Sequence, residues 1–225
     1  AALRNVISRV SGGSASSING KLQLVPAAGS APSFFFINPA GVTFGAGASV
    51  DVPGAFHVST ANHLRLSDGT LFRAGNGPDS SFSVAAPEAF GFLSGVSAPI
   101  RFIDRASVSA KPGKAISLIG GDIEVSNSTV LRTNGGGIRM AAAGTQVIDV
   151  GLEGPLPAGG GTLAVANGGW IDARTNSTYG AGNIAASAER MVLTNRGEIS
   201  TTSYLESKTG NINIRAREVT IDGQG

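Results

Sequence analysis

The segment Phe34-Phe35-Phe36-Ile37-Asn38-Pro39-Ala40-Gly41-Val42-Thr43-Phe44-Gly45 decides the fold of this chain. Its first four residues are all apolar, so a strand built from them has no polar face and must be covered by protein on both sides. Pro39 then fixes its own φ, lacks a backbone donor and pushes Asn38 towards an extended conformation. Because Gly41 accepts a positive φ, the sequence predicts a tight turn over residues 38–41, and a strand resumes directly after it.

Composition favours one elongated all-β domain over residues 1–225. The chain contains 33 glycines and only 14% charged residues, which is typical of many short strands joined by turns. Most aromatic residues are phenylalanines between Phe34 and Phe102. The later half must therefore pack with aliphatic side chains and alanine.

Short alternations of apolar and polar residues, bounded by glycine, proline, asparagine or aspartate, run along the chain without a helical period. They include Val50-Asp51-Val52, Phe56-His57-Val58, Leu64-Arg65-Leu66, Ile116-Ser117-Leu118, Ile123-Glu124-Val125, Ile138-Arg139-Met140 and Leu163-Ala164-Val165. Residues 72–93 are richer in glycine and proline, and we expect them to leave the main scaffold. Residues 151–161 contain two prolines and five glycines, which predicts a surface loop.

A repeat near the C-terminus indicates how these strands assemble. Gly182-Asn183-Ile184 recurs as Gly210-Asn211-Ile212, and the same offset along the chain aligns Met191 with Val219 and Leu193 with Ile221. Strands of two or three residues cannot bury a core alone, whereas stacked coils form a continuous one. The pattern therefore predicts a parallel β-helix with these pairs in adjacent coils. A β-sandwich is the alternative, but it favours longer strands joined by hairpins.

Composition also excludes several classes of function. The chain carries 17 basic and 15 acidic residues and lacks the basic stripe that nucleic acids require, so we expect no nucleic-acid partner. It has no cysteine, which excludes disulfides and thiol catalysis. No apolar run approaches the roughly 20 residues of a transmembrane helix, and residues 1–10 lack the apolar core of a signal peptide.

No constellation of residues predicts catalysis, a metal site or a cofactor. Asp122 and Glu124 lie two residues apart, but calcium needs six or more oxygen ligands and a glycosidase needs two carboxyl groups across a cleft. We interpret both as solvated strand residues. His57 and His63 offer no third zinc ligand and are predicted to lie on the surface. Trp170 could stack on a sugar, but packing under a loop is favoured.

Acidic residues beside turns have a simpler interpretation. Asp68, Asp79 and Asp104 are predicted to bind nearby backbone amides.

The segment Asn38-Pro39-Ala40-Gly41-Val42 resembles the Asn-Pro-Asn-Gly-Ile motif in the secretion domain of two-partner-secretion exoproteins, the filamentous-haemagglutinin family. Residues 9–13 (Arg-Val-Ser-Gly-Gly) and 18–22 (Ile-Asn-Gly-Lys-Leu) are similar to upstream segments of that family, and residues 46–60 and 84–93 to downstream ones. Two departures stand out. Ala40 replaces the second asparagine, and an earlier Asn-Pro-Asn-Leu motif is missing, so we expect the N-terminal cap of the domain to be absent.

The resemblance implies a right-handed parallel β-helix with extra-helical loops and short β elements. It also implies recognition of the chain by the POTRA domains of a dedicated outer-membrane barrel transporter, with residues 38–42 as part of the signal. The exoprotein would be an adhesin-like protein, secreted or held at the cell surface of a Gram-negative-type bacterium. The turn also suits a purely structural role. In that case, removal of the Asn38 side chain is expected to cost one hydrogen bond, about 1 kcal/mol.

Three functional hypotheses follow. The first is a secretion domain that folds outside the cell and nucleates the β-helix. The second is a β-helix module that binds carbohydrate or host matrix. The third, a polysaccharide-degrading β-helix enzyme, requires a converging acidic cleft, and we expect the chain not to be an enzyme.

Overall fold

A computed structural model describes residues 2–75, 81, 83–93, 95–177 and 180–223. These residues form β-strands and no helix. In chain order the strands are β1 (Asn5–Arg9), β2 (Ser16–Ile18), β3 (Lys21–Gln23), β4 (Ser33–Ile37), β5 (Val42–Phe44), β6 (Ser49–Asp51), β7 (Phe56–Ser59), β8 (His63–Leu66), β9 (Leu71–Arg73), β10 (Pro87–Phe92), β11 (Ile100–Phe102), β12 (Ser107–Ser109), β13 (Ile116–Gly120), β14 (Ile123–Ser126), β15 (Val130–Asn134), β16 (Ile138–Ala142), β17 (Ile148–Gly151), β18 (Thr162–Ala166), β19 (Trp170–Arg174), β20 (Ile184–Thr194), β21 (Glu198–Ser200) and β22 (Ile212–Asp222).

Most of these strands stack in three parallel columns. The first column runs β1-β4-β7-β13-β16-β20, the second β2-β5-β11-β14-β18-β20, and the third β3-β6-β12-β15-β19-β21. The long β20 belongs to the first two columns because its two halves pair with β16 and β18. One strand from each column makes a coil, so the chain is an all-β parallel β-helix, as predicted.

Register across the columns confirms the stacking inferred from the repeat. Ile184 pairs with Ile212, Met191 with Val219, and Leu193 with Ile221, all in the parallel β20–β22 pair. The number of residues in a coil varies along the chain. Phe34 pairs with Phe56, so the chain returns to the same column there after fewer residues than at the C-terminal end.

The interior of the coils is packed by the inward-facing residues of all three columns. Near the N-terminal end phenylalanines dominate, and the rings of Phe44 and Phe102 stack with centroids 4.5 Å apart. Later coils are filled by aliphatic residues and alanine, such as Leu163, Val165 and Ala186.

A second, antiparallel sheet lies outside the helix in the order β17-β10-β8-β9. Strands β8 to β10 are inserted between β7 and β11, and β17 is inserted between β16 and β18. Leu64 and Leu66 were expected in one of the short strands of the main scaffold, but they belong to this extra-helical sheet. The sheet covers the outer face of the first column, where Phe90 and Phe92 pack with Phe35 and Ile37. Since Phe34 and Phe36 face the helix interior, β4 is covered on both sides as predicted.

Two predicted excursions overlap these insertions. Residues 72–93 include part of β9 and all of β10. Residues 76–80 and 82, Asp79 among them, lie outside the described part of the chain, so this boundary stays a prediction. Residues 151–161 form no strand after Gly151. Leu156 in that segment is buried, so the segment does not lie wholly on the surface.

One corner of the helix carries a ladder of stacked side chains between the second and third columns. Asn127 donates to Asp104 Oδ1 (3.0 Å), and Asn195 donates to Asn167 Oδ1 (3.1 Å). Asn167 Nδ2 lies 3.4 Å from Asn127 Oδ1, which joins the two pairs. All four residues have positive φ, a conformation that asparagine and aspartate tolerate better than other side chains. Asp104 thus binds a side chain of the neighbouring coil.

No helix among the described residues is long and apolar enough to cross a membrane.

Candidate functional site

The turn between β4 and β5 is built as the sequence predicts. Gly41 N donates to Asn38 O (3.0 Å), which closes the turn over four residues. Ala40 N donates to Asn38 Oδ1 (3.0 Å), a local bond that asparagine commonly makes in turns. The φ of Gly41 is +114°, which explains why glycine is needed there.

The Asn38 side chain does more than close its own turn. Its Nδ2 donates to Ser14 O (3.0 Å) and to Ser16 Oγ (2.8 Å), both in the preceding coil. Its backbone N donates to Ser59 O (3.0 Å) in the following coil. Asn38 therefore joins three coils, and the expectation that its side chain contributes a single hydrogen bond is wrong.

Burial of the motif decides what a partner could contact. Asn38 is fully buried and Val42 is 1% exposed. Gly41 is also buried, whereas Pro39 and Ala40 are half-buried. In the folded domain, residues 38–42 therefore present little surface, and the Asn38 side chain presents none. A partner can contact the whole motif only before the domain folds.

A groove of about 960 Å³ lies between the outer face of the first column and the ends of strands β8, β10 and β17 in the extra-helical sheet. Its floor includes His57, Ser117 and Arg139, which are paired in register on β7, β13 and β16. Small residues such as Ala115 and Gly137 precede them on the same face. Sequence reasoning missed this groove because its members lie far apart in the chain. The signal that could have found it is the set of outward-facing residues that share a register position on neighbouring strands.

Both histidines are buried, so their predicted surface location is wrong. His57 is 8% exposed, and its ring stacks on Phe35 with centroids 4.3 Å apart. Burial lowers the pKa of His57 to about 4, since the interior disfavours the charged imidazole. His63 lies on a different strand, and its pKa is also lowered by burial, although Asp149 at 3.7 Å opposes this effect.

Trp170 lies on the outer face of the third column, in contact with two guanidinium groups. The Cζ atoms of Arg132 and Arg174 lie 4.8 and 4.9 Å from its ring centroid, and Nε1 donates to Ser200 Oγ (2.9 Å). Arginines, not a loop, cover the ring. Asp172 between them is fully buried and accepts from both arginines. With both arginines over its ring, Trp170 has little surface for stacking on a sugar.

The acidic residues considered for chemistry have structural partners. Asp122 Oδ1 accepts from Thr162 N (2.7 Å), and Glu124 accepts from Ser126 Oγ (2.7 Å) and pairs with Arg101. Asp68 accepts from Thr70 N (3.0 Å) as predicted. Across the described residues, no group of three or more His, Asp or Glu side chains is placed to hold a metal ion.

Comparison with known families gives one match. A family model described as TPS secretion domain matches residues 1–156 of the 225-residue chain. The matched range contains the buried turn, most of the groove floor and the extra-helical sheet. Neither curated proteins nor solved structures gave a match.

Proposed function

The chain belongs to the family of TPS secretion domains, and from this membership we propose that it is recognised by the POTRA domains of a dedicated outer-membrane barrel transporter. As a TPS secretion domain it is part of a secreted exoprotein of the two-partner type, and its partner is a TPS transporter. We further propose an adhesin-like exoprotein that reaches the surface of a Gram-negative-type bacterium through the periplasm.

The burial of residues 38–42 is the observation that carries the proposed mechanism. Asn38 is inaccessible in the folded domain, so a transporter that reads this side chain must do so while the chain is unfolded. Extended, unfolded chain is also the form that fits a narrow barrel. Recognition and folding therefore compete for the same five residues.

After export the same residues favour folding of the helix. The Asn38 side chain holds the turn and binds the preceding coil, while its backbone N binds the following one. Strand β4 contributes at once to the helix interior and to the core beneath the extra-helical sheet. Formation of this turn brings both cores together, which supports a role in nucleating the β-helix.

A secretion assay tests the proposal. The exoprotein is expressed with its transporter, and Asn38→Ala is compared with Asn127→Ala, which removes two exposed side-chain hydrogen bonds from the corner ladder outside the motif. Recognition of the motif predicts that Asn38→Ala lowers secretion far more than Asn127→Ala. Equal secretion of the two variants would assign Asn38 a structural role only.

Binding of host or cell-surface glycans is a second proposal, and the groove on the first column favours it. The groove is open to solvent and is lined by polar and small apolar residues. Its carboxylates include Glu88, which is paired with Arg65 at 2.6 Å.

That the chain is not an enzyme stays a prediction.

A further inference from the structure

The groove floor is a flat grid of outward-facing residues on consecutive strands. One row runs Phe35, His57, Ser117, Arg139 and Ala185, each paired in register with the next. Since neighbouring strands lie about 4.8 Å apart, this row extends over about 19 Å along the helix axis. The floor therefore suits a linear ligand that lies parallel to the axis.

The charges that line the groove balance, and both of its arginines are already engaged. Arg65 binds Glu88 at 2.6 Å and Asp149 at 3.2 Å. Arg139 donates to the backbone oxygens of Gly151, Glu153 and Gly154. Both guanidinium groups are thus engaged, so neither offers a free cation to an anionic polymer.

The uncharged polar groups of the floor can both donate and accept hydrogen bonds. Burial lowers the pKa of His57 to about 4, so the imidazole that lines the floor is neutral. Its Nδ1 is buried, which leaves Nε2 as the ring nitrogen open to a ligand. Ser117 supplies a hydroxyl and Asn183 a carboxamide. Imidazole, hydroxyl and carboxamide groups match the mixed donor and acceptor character of sugar hydroxyls.

The backbone around the floor argues against an extended peptide. The floor is the face of a sheet, and its strands are paired on both sides within the column. Within the described strands, the floor has no open edge that a peptide could extend by main-chain hydrogen bonds. The small side chains of Ala115 and Gly137 instead leave room above the sheet for ring-shaped units.

We propose that this groove binds a neutral linear oligosaccharide, with His57, Ser117 and Asn183 as hydrogen-bonding residues along its floor. The inference rests on the glycan-binding proposal above and is independent of recognition by the transporter. The ligand lies across successive coils, and the extra-helical sheet forms one wall beside it.

The test is a titration of the ¹⁵N-labelled chain, followed by NMR, with five probes: maltohexaose, cellohexaose, N-acetylchitohexaose, hexagalacturonate and hexaserine. At least one neutral hexasaccharide is expected to bind with a Kd below about 1 mM and to shift the amides of Ala55, Ala115 and Ser117. Ala115→Phe fills the floor and is expected to weaken this binding at least about tenfold. Ser109→Phe places the same ring on the outer face of the third column and should leave binding unchanged.

Three results would overturn the proposal, and each one contradicts a different part of it. Absence of binding by every saccharide would overturn glycan binding altogether. Binding only of hexagalacturonate or hexaserine would overturn the neutral ligand, and shifts confined to residues away from the floor would overturn the groove while keeping glycan binding. The shift map of the unsubstituted chain decides the question even where Ala115→Phe fails to fold.

Secretion of Ala115→Phe separates the groove from recognition by the transporter. Normal secretion together with lost glycan binding is expected, because the groove lies outside the turn motif. A folded Ala115→Phe variant that binds glycan normally but is not secreted would contradict the assignment of the groove to glycans.

Discussion

Replacing Asn38 by alanine should destabilise the folded domain measurably. The substitution removes three side-chain hydrogen bonds, to Ser14 O, Ser16 Oγ and Ala40 N. At a net value of about 0.5 to 1.5 kcal/mol each, their loss lowers the free energy of unfolding by about 2 to 4 kcal/mol. For a domain of this size, that change lowers the melting temperature by about 4 to 16 °C. The site is fully buried, so water cannot replace the lost bonds without rearrangement of the turn.

The free energy of unfolding of the unsubstituted chain and of the Asn38→Ala variant is measured by denaturant titration and checked by thermal melting. Asn213→Ala, an exposed asparagine on β22, is the matched control and should change the free energy by less than about 0.5 kcal/mol. If Asn38→Ala is as stable as this control, the three hydrogen bonds do not hold the coils together. The structural half of the argument about the motif would then fail.

Three further predictions concern other parts of the helix. Asn127→Ala interrupts the corner ladder and forces alanine into positive φ, so it should lower the free energy of unfolding by about 2 kcal/mol; an unchanged denaturation midpoint would refute the ladder's role. The folded pKa of His57 is about 4, below its unfolded value, so the unfolded state binds the extra proton. Stability should therefore be complete above about pH 6.5 and fall by about 3 kcal/mol towards pH 4. His57→Phe should remove that part of the pH dependence, and an identical profile in the variant would contradict it. Asp172→Ala leaves Arg132 without its buried carboxylate and should cost about 2 kcal/mol, read from the fluorescence of the single tryptophan; no change in the unfolding curve would show that the pair contributes nothing.

The stacking of coils could be predicted from sequence because it depends on local repetition. Gly182-Asn183-Ile184 and its copy Gly210-Asn211-Ile212 occupy equivalent places at the starts of β20 and β22, and a fixed offset is visible without knowing the rest of the fold. The all-apolar segment ending at Ile37 likewise predicts cover on both sides. What the segment could not specify is which residues provide the outer cover. Those residues, such as Phe90 and Val150, come from insertions in two different coils.

The candidate sites were harder to predict because their contacts join distant residues. Asn38 was recognisable as a turn residue, but its bonds to Ser14 and Ser16 depend on the register between coils. His57 sits in an alternating stretch that is typical of an exposed face. It is 8% exposed, at the bottom of the groove, and the ring of Phe35 from the neighbouring coil stacks on it. That contact depends on the register between coils and is not visible in the local pattern.

The most direct test of the central claim compares unfolded and folded forms of the motif as ligands for the POTRA domains of the cognate transporter. A peptide of residues 5–60 contains too few coils to fold alone, and circular dichroism verifies that it is unfolded. Isothermal titration calorimetry then measures its affinity beside that of the folded chain. We predict that the peptide binds, that its Asn38→Ala variant binds at least about tenfold more weakly, and that the folded chain does not bind. Equal binding of the folded chain and the peptide, or no loss in the Asn38→Ala peptide, would contradict recognition of the motif before folding.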